Sequence, residues 1–379
     1  MISESLAYSS SGWRRGAEPL PSADLAIYFG ERSAIENGEA AAELARLFPG
    51  AHTIGCSTGG QIAGDEVALD GVAALALKFD STRVGAASVD VAGADQSEDC
   101  GEQLAQMLDA PDLAAVFVLS DGLKVNGSRL AQGLSRRLGP KVSLSGGLAG
   151  DDAYFVTTCV GVDDAPRCGR IGAIGFYGSR IRVGSGSAGG WDIFGPRRHI
   201  TASDGNVLKE LDGEPALDLY ERYLGEEAED LPGSALYFPL RIADPAQPER
   251  RLVRTVLGID REARSVTFAG DMPQGWTAQL MRGMQDRLVA GAAEAARLAA
   301  LSQSGALGDR VAILISCIGR RLLLGQSTVD EVQAATEILG GSTRCVGFYS
   351  YGELAPQAGA SGCELHNQTM TITTFAEAA

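Results

Sequence analysis

The stretch DRVAILISCIGRRLLLGQSTVDEVQAATEILGGSTRCVGFYSYGE, residues 309–353, runs from an apolar strand-like segment through an amphipathic stretch into a second apolar segment. The pattern occurs twice more, as DLAIYFGERSAIENGEAAAELARLFPGAHTIGCSTGG at 24–60 and as DLAAVFVLSDGLKVNGSRLAQGLSRRLGPKVSLSGGLAGDD at 112–152. In each copy the apolar residues of the central stretch recur at helical spacing: Leu44, Leu47 and Phe48; Leu130, Leu134 and Leu138; Val329, Val332 and Leu339. Each copy therefore reads as a β-α-β unit. With its strands parallel and the usual right-handed crossover, both strand ends face one rim, where polar and Gly-rich loops form a ligand crevice. The competing reading is that the repeat only builds core.

Strand-like runs join the copies at 72–80 and 84–92, and a helix runs through Leu104 and Leu108. Further strands are expected at 154–162, 170–178 and 180–186, with turn residues between them that favour antiparallel pairing. Residues 190–225 read as a hairpin closed at Asp204–Gly205 and then a helix, and the acidic run 225–233 as a solvated loop. Strands near 235–242, 252–259 and 264–269, an Ala-rich helix at 276–301 and a last strand at 367–375 complete the chain. Mixed strands with helices give an α/β or α+β architecture of two related modules. The expected division is an N-terminal module at 1–195, a bridging hairpin, helix and linker at 196–232, and a C-terminal module at 233–379.

Composition bounds the partners. The chain has 379 residues, 45% of them hydrophobic, enough for two ordinary cores. A formal charge of −16 with no Lys/Arg-rich run disfavours nucleic acid and anionic lipid surfaces. The first thirty residues lack the pattern of a secretory signal, and no run of about 18 apolar residues is present to cross a bilayer. A cytoplasmic location is therefore expected. Seven cysteines without a C-x-x-C argue against a disulfide framework or a Cys-rich zinc site, so no metal is expected.

Two catalytic signatures fail in context. Gly55-Cys56-Ser57-Thr58-Gly59 matches a nucleophile elbow, but a loop and a strand follow it instead of a helix, and only three histidines exist to serve as base. Gly184-Ser185-Gly186-Ser187-Ala188-Gly189 matches G-x-G-x-x-G without the helix that would meet a pyrophosphate. A hydrolase using Ser57 or Cys317 is the weakest reading, and no enzyme is expected.

In the C-terminal half, Gly270-Asp271-Met272-Pro273-Gln274-Gly275, Ser316-Cys317-Ile318-Gly319-Arg320-Arg321, Gly347-Phe348-Tyr349-Ser350-Tyr351-Gly352-Glu353 and His366-Asn367-Gln368-Thr369 occur in an order that resembles the C-terminal module of the FIST family of signal-transduction sensory proteins. Gly55-Cys56-Ser57-Thr58-Gly59-Gly60, Gly146-Gly147-Leu148-Ala149-Gly150-Asp151 and Asp212-Gly213-Glu214-Pro215-Ala216-Leu217-Asp218-Leu219-Tyr220 resemble its N-terminal module. The resemblance covers nearly the whole chain. It implies a bacterial-type input module that binds a small molecule, with amino acids as the ligand class. Output would pass to a separate partner such as a histidine kinase of a two-component system or a cyclic-nucleotide enzyme. Some similar proteins bind haem and sense nitric oxide, which makes haem the alternative to no cofactor and His366 its candidate ligand. His52 and His199 lie outside the matching motifs.

The candidate ligand-binding residues follow from the rims. Arg320 and Arg321 stand just beyond the apolar VAILIS segment, where a guanidinium fork suits a carboxylate or another small anion, and equally suits two solvated side chains. Asp121 and Glu353 end strands and suit an ammonium group. Tyr349 and Tyr351 share a strand face and suit an apolar side chain, or core. Cys56, Ser57, Thr58, Ser145, Gly146, Gly147, Asp151, Cys317, Asn367 and Thr369 fill the remaining loop positions, Cys317 reading either as a buried apolar residue or as a reactive thiol.

Overall fold

The computed structural model describes residues 1–301, 306–356 and 362–378. The three apolar segments Leu25–Gly30, Leu113–Ser120 and Ala306–Cys317 form leading strands, each with a parallel following strand, His52–Ser57, Ser143–Leu148 and Thr343–Ser350. The near-continuous apolar runs at 25–29, 113–119 and 311–315 reflect burial on both faces. Between the strands lie the amphipathic helices Glu39–Leu47, Gly127–Leu138 and Thr328–Leu339, with Leu44, Leu130 and Val332 turned to the core. Close approach within each pair requires glycine at one equivalent place. A β-carbon at Gly55, Gly146 or Gly347 would run into the carbonyl of its neighbour Tyr28, Val118 or Leu314.

Each pair is extended by the same plan. A return strand pairs antiparallel with the leading strand: Val72–Lys78, Arg170–Tyr177 and Met370–Ala378. An outer strand then pairs with the return strand: Ile2–Ser9, Arg83–Asp90 and Ile181–Ala188. On the other side, the following strand is covered by a strand from a different unit. Gln61–Ala63 leaves the first unit to pair in the third sheet, Val160–Val162 leaves the second to pair in the first, and Gly352–Pro356 leaves the third to pair in the second. The three sheets are thus linked in a closed cycle.

Their inner faces meet in a common core, where Phe29 stacks on Phe348 at 4.6 Å and Phe176 on Phe375 at 4.8 Å, around Leu75, Phe117 and Ile315. The outer faces are covered by helices: Glu39–Leu47 on the first sheet, Ser97–Leu108 and Gly127–Leu138 on the second, Gln285–Leu301 and Thr328–Leu339 on the third. The third unit carries a large insertion. Between Ile181–Ala188 and Gln285–Leu301 the chain builds an antiparallel sheet with its own core of Leu208, Leu217, Ile242 and Phe268.

Mixed sheets on repeated β-α-β units agree with the sequence reading, but the sheets cut across the expected module boundaries. Ile181–Ala188 precedes residue 195, yet it belongs with the C-terminal strand Met370–Ala378. Two local expectations are corrected. The Ala-rich helix begins at Gln285 and not at 276, because Thr277–Arg282 alternates and pairs with strands on both sides. Residues 154–159 form a loop and not a strand, because the Asp151 carboxylate accepts the N–H groups of Phe155, Val156 and Thr157 at 2.8–2.9 Å.

A buried ion pair fastens the third unit. Glu331 and Arg320 are fully buried, and Glu331 accepts two hydrogen bonds from the guanidinium at 2.7 and 3.0 Å. Its other oxygen accepts the hydroxyls of Ser316 and Tyr349, while Arg320 also donates to the carbonyls of Gly189 and Leu288. Removing one partner leaves an uncompensated buried charge. Glu331→Ala is therefore expected to lower unfolding free energy by about 3–5 kcal/mol, and the joint Arg320→Met, Glu331→Leu replacement to cost less, both read from urea denaturation.

Candidate functional site

The C-terminal ends of the parallel strands converge through three equivalent hydrogen bonds. Gly59 donates to the Tyr349 carbonyl at 2.8 Å, Gly150 to that of Ser57 at 3.0 Å, and Tyr351 to that of Leu148 at 3.1 Å. The rims of all three units are therefore joined at the end where open α/β sheets place ligands. Around this junction the units differ. After Gly59-Gly60 and after Tyr351-Gly352 the chain enters the exchanged strand at once, whereas the second unit inserts the loop Asp152–Cys159.

That loop and the inserted sheet of the third unit enclose a cavity of about 560 Å³. Its floor comes from the rim residues Gly122, Leu148, Cys317, Ile318 and Tyr351, and its cover from Thr255, Val256, Phe268 and Gly270 of the inserted sheet. Phe155 of the loop stacks on Tyr351 with ring centres 4.5 Å apart and forms one wall. The loop is anchored because Asp151 is buried and the Tyr351 hydroxyl donates to its carboxylate. Every lining side chain is uncharged. Asn367 lines the cavity fully buried, and neither its amide oxygen nor its nitrogen has a partner among the described residues; the same holds for the Thr255 hydroxyl. Unpaired buried polar groups cost about 1–3 kcal/mol each, so the cavity is suited to a ligand that carries both a donor and an acceptor.

Of the residues expected from sequence, Cys317, Tyr351 and Asn367 line this cavity. The open guanidinium fork is corrected: Arg320 is closed off by Glu331, and Arg321 pairs with Asp152. Asp121 does not face a ligand ammonium, since its carboxylate accepts the N–H groups of Leu123, Lys124 and Gly169. Tyr349 is tied to Glu331, Thr58 to the Gly30 carbonyl, and Thr369 to Glu353. Cys56 lies in the common core, while Ser145, Gly146 and Gly147 are buried within their strand. The Ser57 hydroxyl accepts from the Cys159 N–H at 2.9 Å and has no histidine beside it. Cys317 caps the helix Ile318–Leu324, but burial pushes its thiol pKa well up and keeps it protonated.

None of the three histidines lines the cavity. His52 is bound to Asp163 at 2.8 Å, and His199 sits on the inserted sheet. His366 is buried near Arg254, and burial lowers its pKa to about 4, so the ring is neutral. Its Nε2 is unpartnered among the described residues, but it lines neither this cavity nor the one beside Arg254. The residues present do not fit a haem held by His366. The lining positions Phe155, Thr255 and Val256 carry no local signal in the sequence, because they reach the rim only through the two insertions.

Glu353 is informative through the repeat. It faces Gly147 as Gln61 faces Phe348, at equivalent places in the exchanged strands. Burial pushes its pKa up to about 8, against the opposing hydrogen bonds from Thr369 and Ser350. Because folding raises this pKa, Glu353 contributes stability that is complete below its ordinary value of 4.5 and lost as pH rises through about 8. Glu353→Gln, which installs the residue found in the first unit, should abolish that loss. Urea denaturation is expected to show the variant ahead of wild type by an increment on the order of 1–3 kcal/mol near pH 9, with the difference vanishing toward pH 4.

Among the described residues no helix is long and apolar enough to cross a membrane, and no group of histidine, cysteine or acidic side chains is arranged to hold a metal ion. No curated protein matches the chain. Among solved structures it is similar to a cyanuric acid hydrolase from A. caulinodans at 12% identity, over 79% of this chain and all of that one, with a TM-score of 0.20. So low a score carries no argument about fold or function. Residues 24–214 match the FIST N domain and residues 216–356 the FIST C domain. With both domains in order and most of its length matched, the chain belongs to the FIST family of signal-transduction sensory proteins.

Proposed function

We propose that this protein senses a small, uncharged and largely apolar molecule that occupies the 560 Å³ cavity between the strand-end rim and the inserted sheet. The observation that carries the reading is the lining: no charged side chain, aromatic walls at Phe155, Phe268 and Tyr351, and one buried amide, Asn367, without a partner. An amino acid would bring two charges into this cavity with no ion to meet either, so that ligand class draws no support from the lining. Haem draws less support than a neutral organic ligand, because no histidine borders the space. Hydrolysis by Ser57 or Cys317 lacks a base for the first and a thiolate for the second.

The ligand would touch the rim of the second and third units and the inserted sheet together, and so bias how they sit. Output through a separate signalling protein then follows as a population shift, limited by the difference in affinity between the two arrangements. A cytoplasmic location suits such a receptor.

Two measurements test this. Mass spectrometry of small molecules that copurify with the full chain should find a neutral compound at about one per chain, and Asn367→Leu should weaken its binding roughly tenfold, the size expected of one hydrogen bond to a buried group. Retention of full affinity in Asn367→Leu and also in Leu257→Trp, at the mouth of the cavity, would place the ligand elsewhere; a Soret band in protein grown with haem would favour the gas-sensor reading. Hydrogen exchange should slow on binding in the loop Asp152–Cys159 and in the bridging segment 190–231. Protection confined to the cavity wall would reject the shift and favour a carrier role.

A further inference from the structure

A second cavity, of about 540 Å³, lies on the opposite side of the wall formed by the end of strand Gln247–Arg254 and the loop 270–276. Its chemistry is the reverse of the first. Arg250 and Arg254 from that strand and Arg136 from the helix Gly127–Leu138 line it, together with Ser128, Asp271 and Glu364.

Arg254 is the anomaly. Its side chain is 2% exposed, and its hydrogen bonds go to backbone carbonyls alone: Nε to Asp271 at 3.1 Å, and Nη1 to Val253 and Leu365 at 3.2 and 2.9 Å. Among the described residues it forms no ion pair, and its hydrogen bonds run through Nε and Nη1 alone. Burial depresses its pKa to about 10, outweighing the Glu364 and Asp271 carboxylates that oppose the shift, while the neighbouring Arg250 cation adds to it. Buried cations are ordinarily paired. The two acids of the cavity are otherwise engaged, Glu364 with Arg250 and Asp271 with the Asn126 amide at 2.9 Å.

The remaining unmet groups at this cavity are also donors. The Arg250 Nε and the Ser128 hydroxyl are buried without partners among the described residues, and Ser128 lies in the first turn of its helix, where backbone dipoles favour negative charge. Arg136 adds a third guanidinium, already shared with Glu98 and Glu102.

We propose that this second cavity binds a small oxyanion, a phosphate or carboxylate group on a polar molecule, which docks on Arg254 and accepts hydrogen bonds from Arg250 and Ser128. The site is independent of the first cavity's ligand, although the two share a wall. Gly270 lines the first cavity, and a β-carbon there would come within 2.9 Å of Arg254 Nε.

Titration calorimetry on the full chain in low-chloride buffer, with inorganic phosphate in one arm and succinate in the other, tests the proposal. Saturable binding at one site is expected in at least one arm, with a loss of roughly tenfold or more in Arg250→Gln and in Arg254→Gln, the size expected of a charge-assisted hydrogen bond. Binding of phosphate alone identifies a phosphate-bearing ligand, and binding of succinate alone a carboxylate. If Arg254→Gln does not fold, Arg250→Gln and Ser128→Ala carry the comparison. The proposal is overturned by absence of saturable binding of either anion up to about 10 mM, or by binding that the foldable variants leave unchanged.

Discussion

Parallel strands leave an edge that a βαβ unit cannot close by itself, and everything else in this molecule depends on how the three units close theirs. Each following strand is covered by a short strand sent from another unit, so that Gln61–Ala63, Val160–Val162 and Gly352–Pro356 exchange around a cycle. Unpaired edges invite association with other chains. Here the same backbone groups instead bind the three sheets to one another. The chain leaves each unit at the strand ends, so the exchange also draws the three rims together, and the bonds from Gly59, Gly150 and Tyr351 record that convergence.

Repetition of this kind sets a baseline against which departures are visible. The first unit passes from rim to exchanged strand without interruption, while the second interposes a loop held by Asp151 and the third carries an entire sheet between its outer strand and its helix. Both additions lean over the same rim, and the cavity exists only where they meet it. The scaffold supplies position, and the insertions supply chemistry. Because the inserted sheet presents opposite sides of one wall, it gives the protein an uncharged cavity on one side and an arginine-lined one on the other.

Polar groups buried in the scaffold divide along the same line. Arg320 and Glu331 satisfy each other and their neighbours completely, which makes them structural however conspicuous they are in the sequence. Asn367, Thr255, Arg250 and Ser128 are left with unmet capacity, and each lines a cavity. Incomplete hydrogen bonding marks a candidate ligand contact only where it coincides with a cavity, which the unpartnered Nε2 of His366 does not.

The amino-acid sequence by itself determined the three β-α-β units, because helical spacing at Leu130 and Leu134 and apolar runs such as LAAVFVLS are local consequences of burial. It also determined the family, through the two domains matched at 24–214 and 216–356. That both strand ends of one unit share a rim was legible for the same reason, since the two strands of a crossover unit run parallel; the three rims converge only through the exchanged strands. Which sheet each short strand joins was decided only by the tertiary structure, since three residues such as Val160-Gly161-Val162 hold no record of a partner far away in the chain. The fate of the charged residues was decided there as well. An arginine after a strand reads alike whether a ligand or Glu331 will meet it, because the carboxylate that closes it arrives from another helix, and only packing brings the two together.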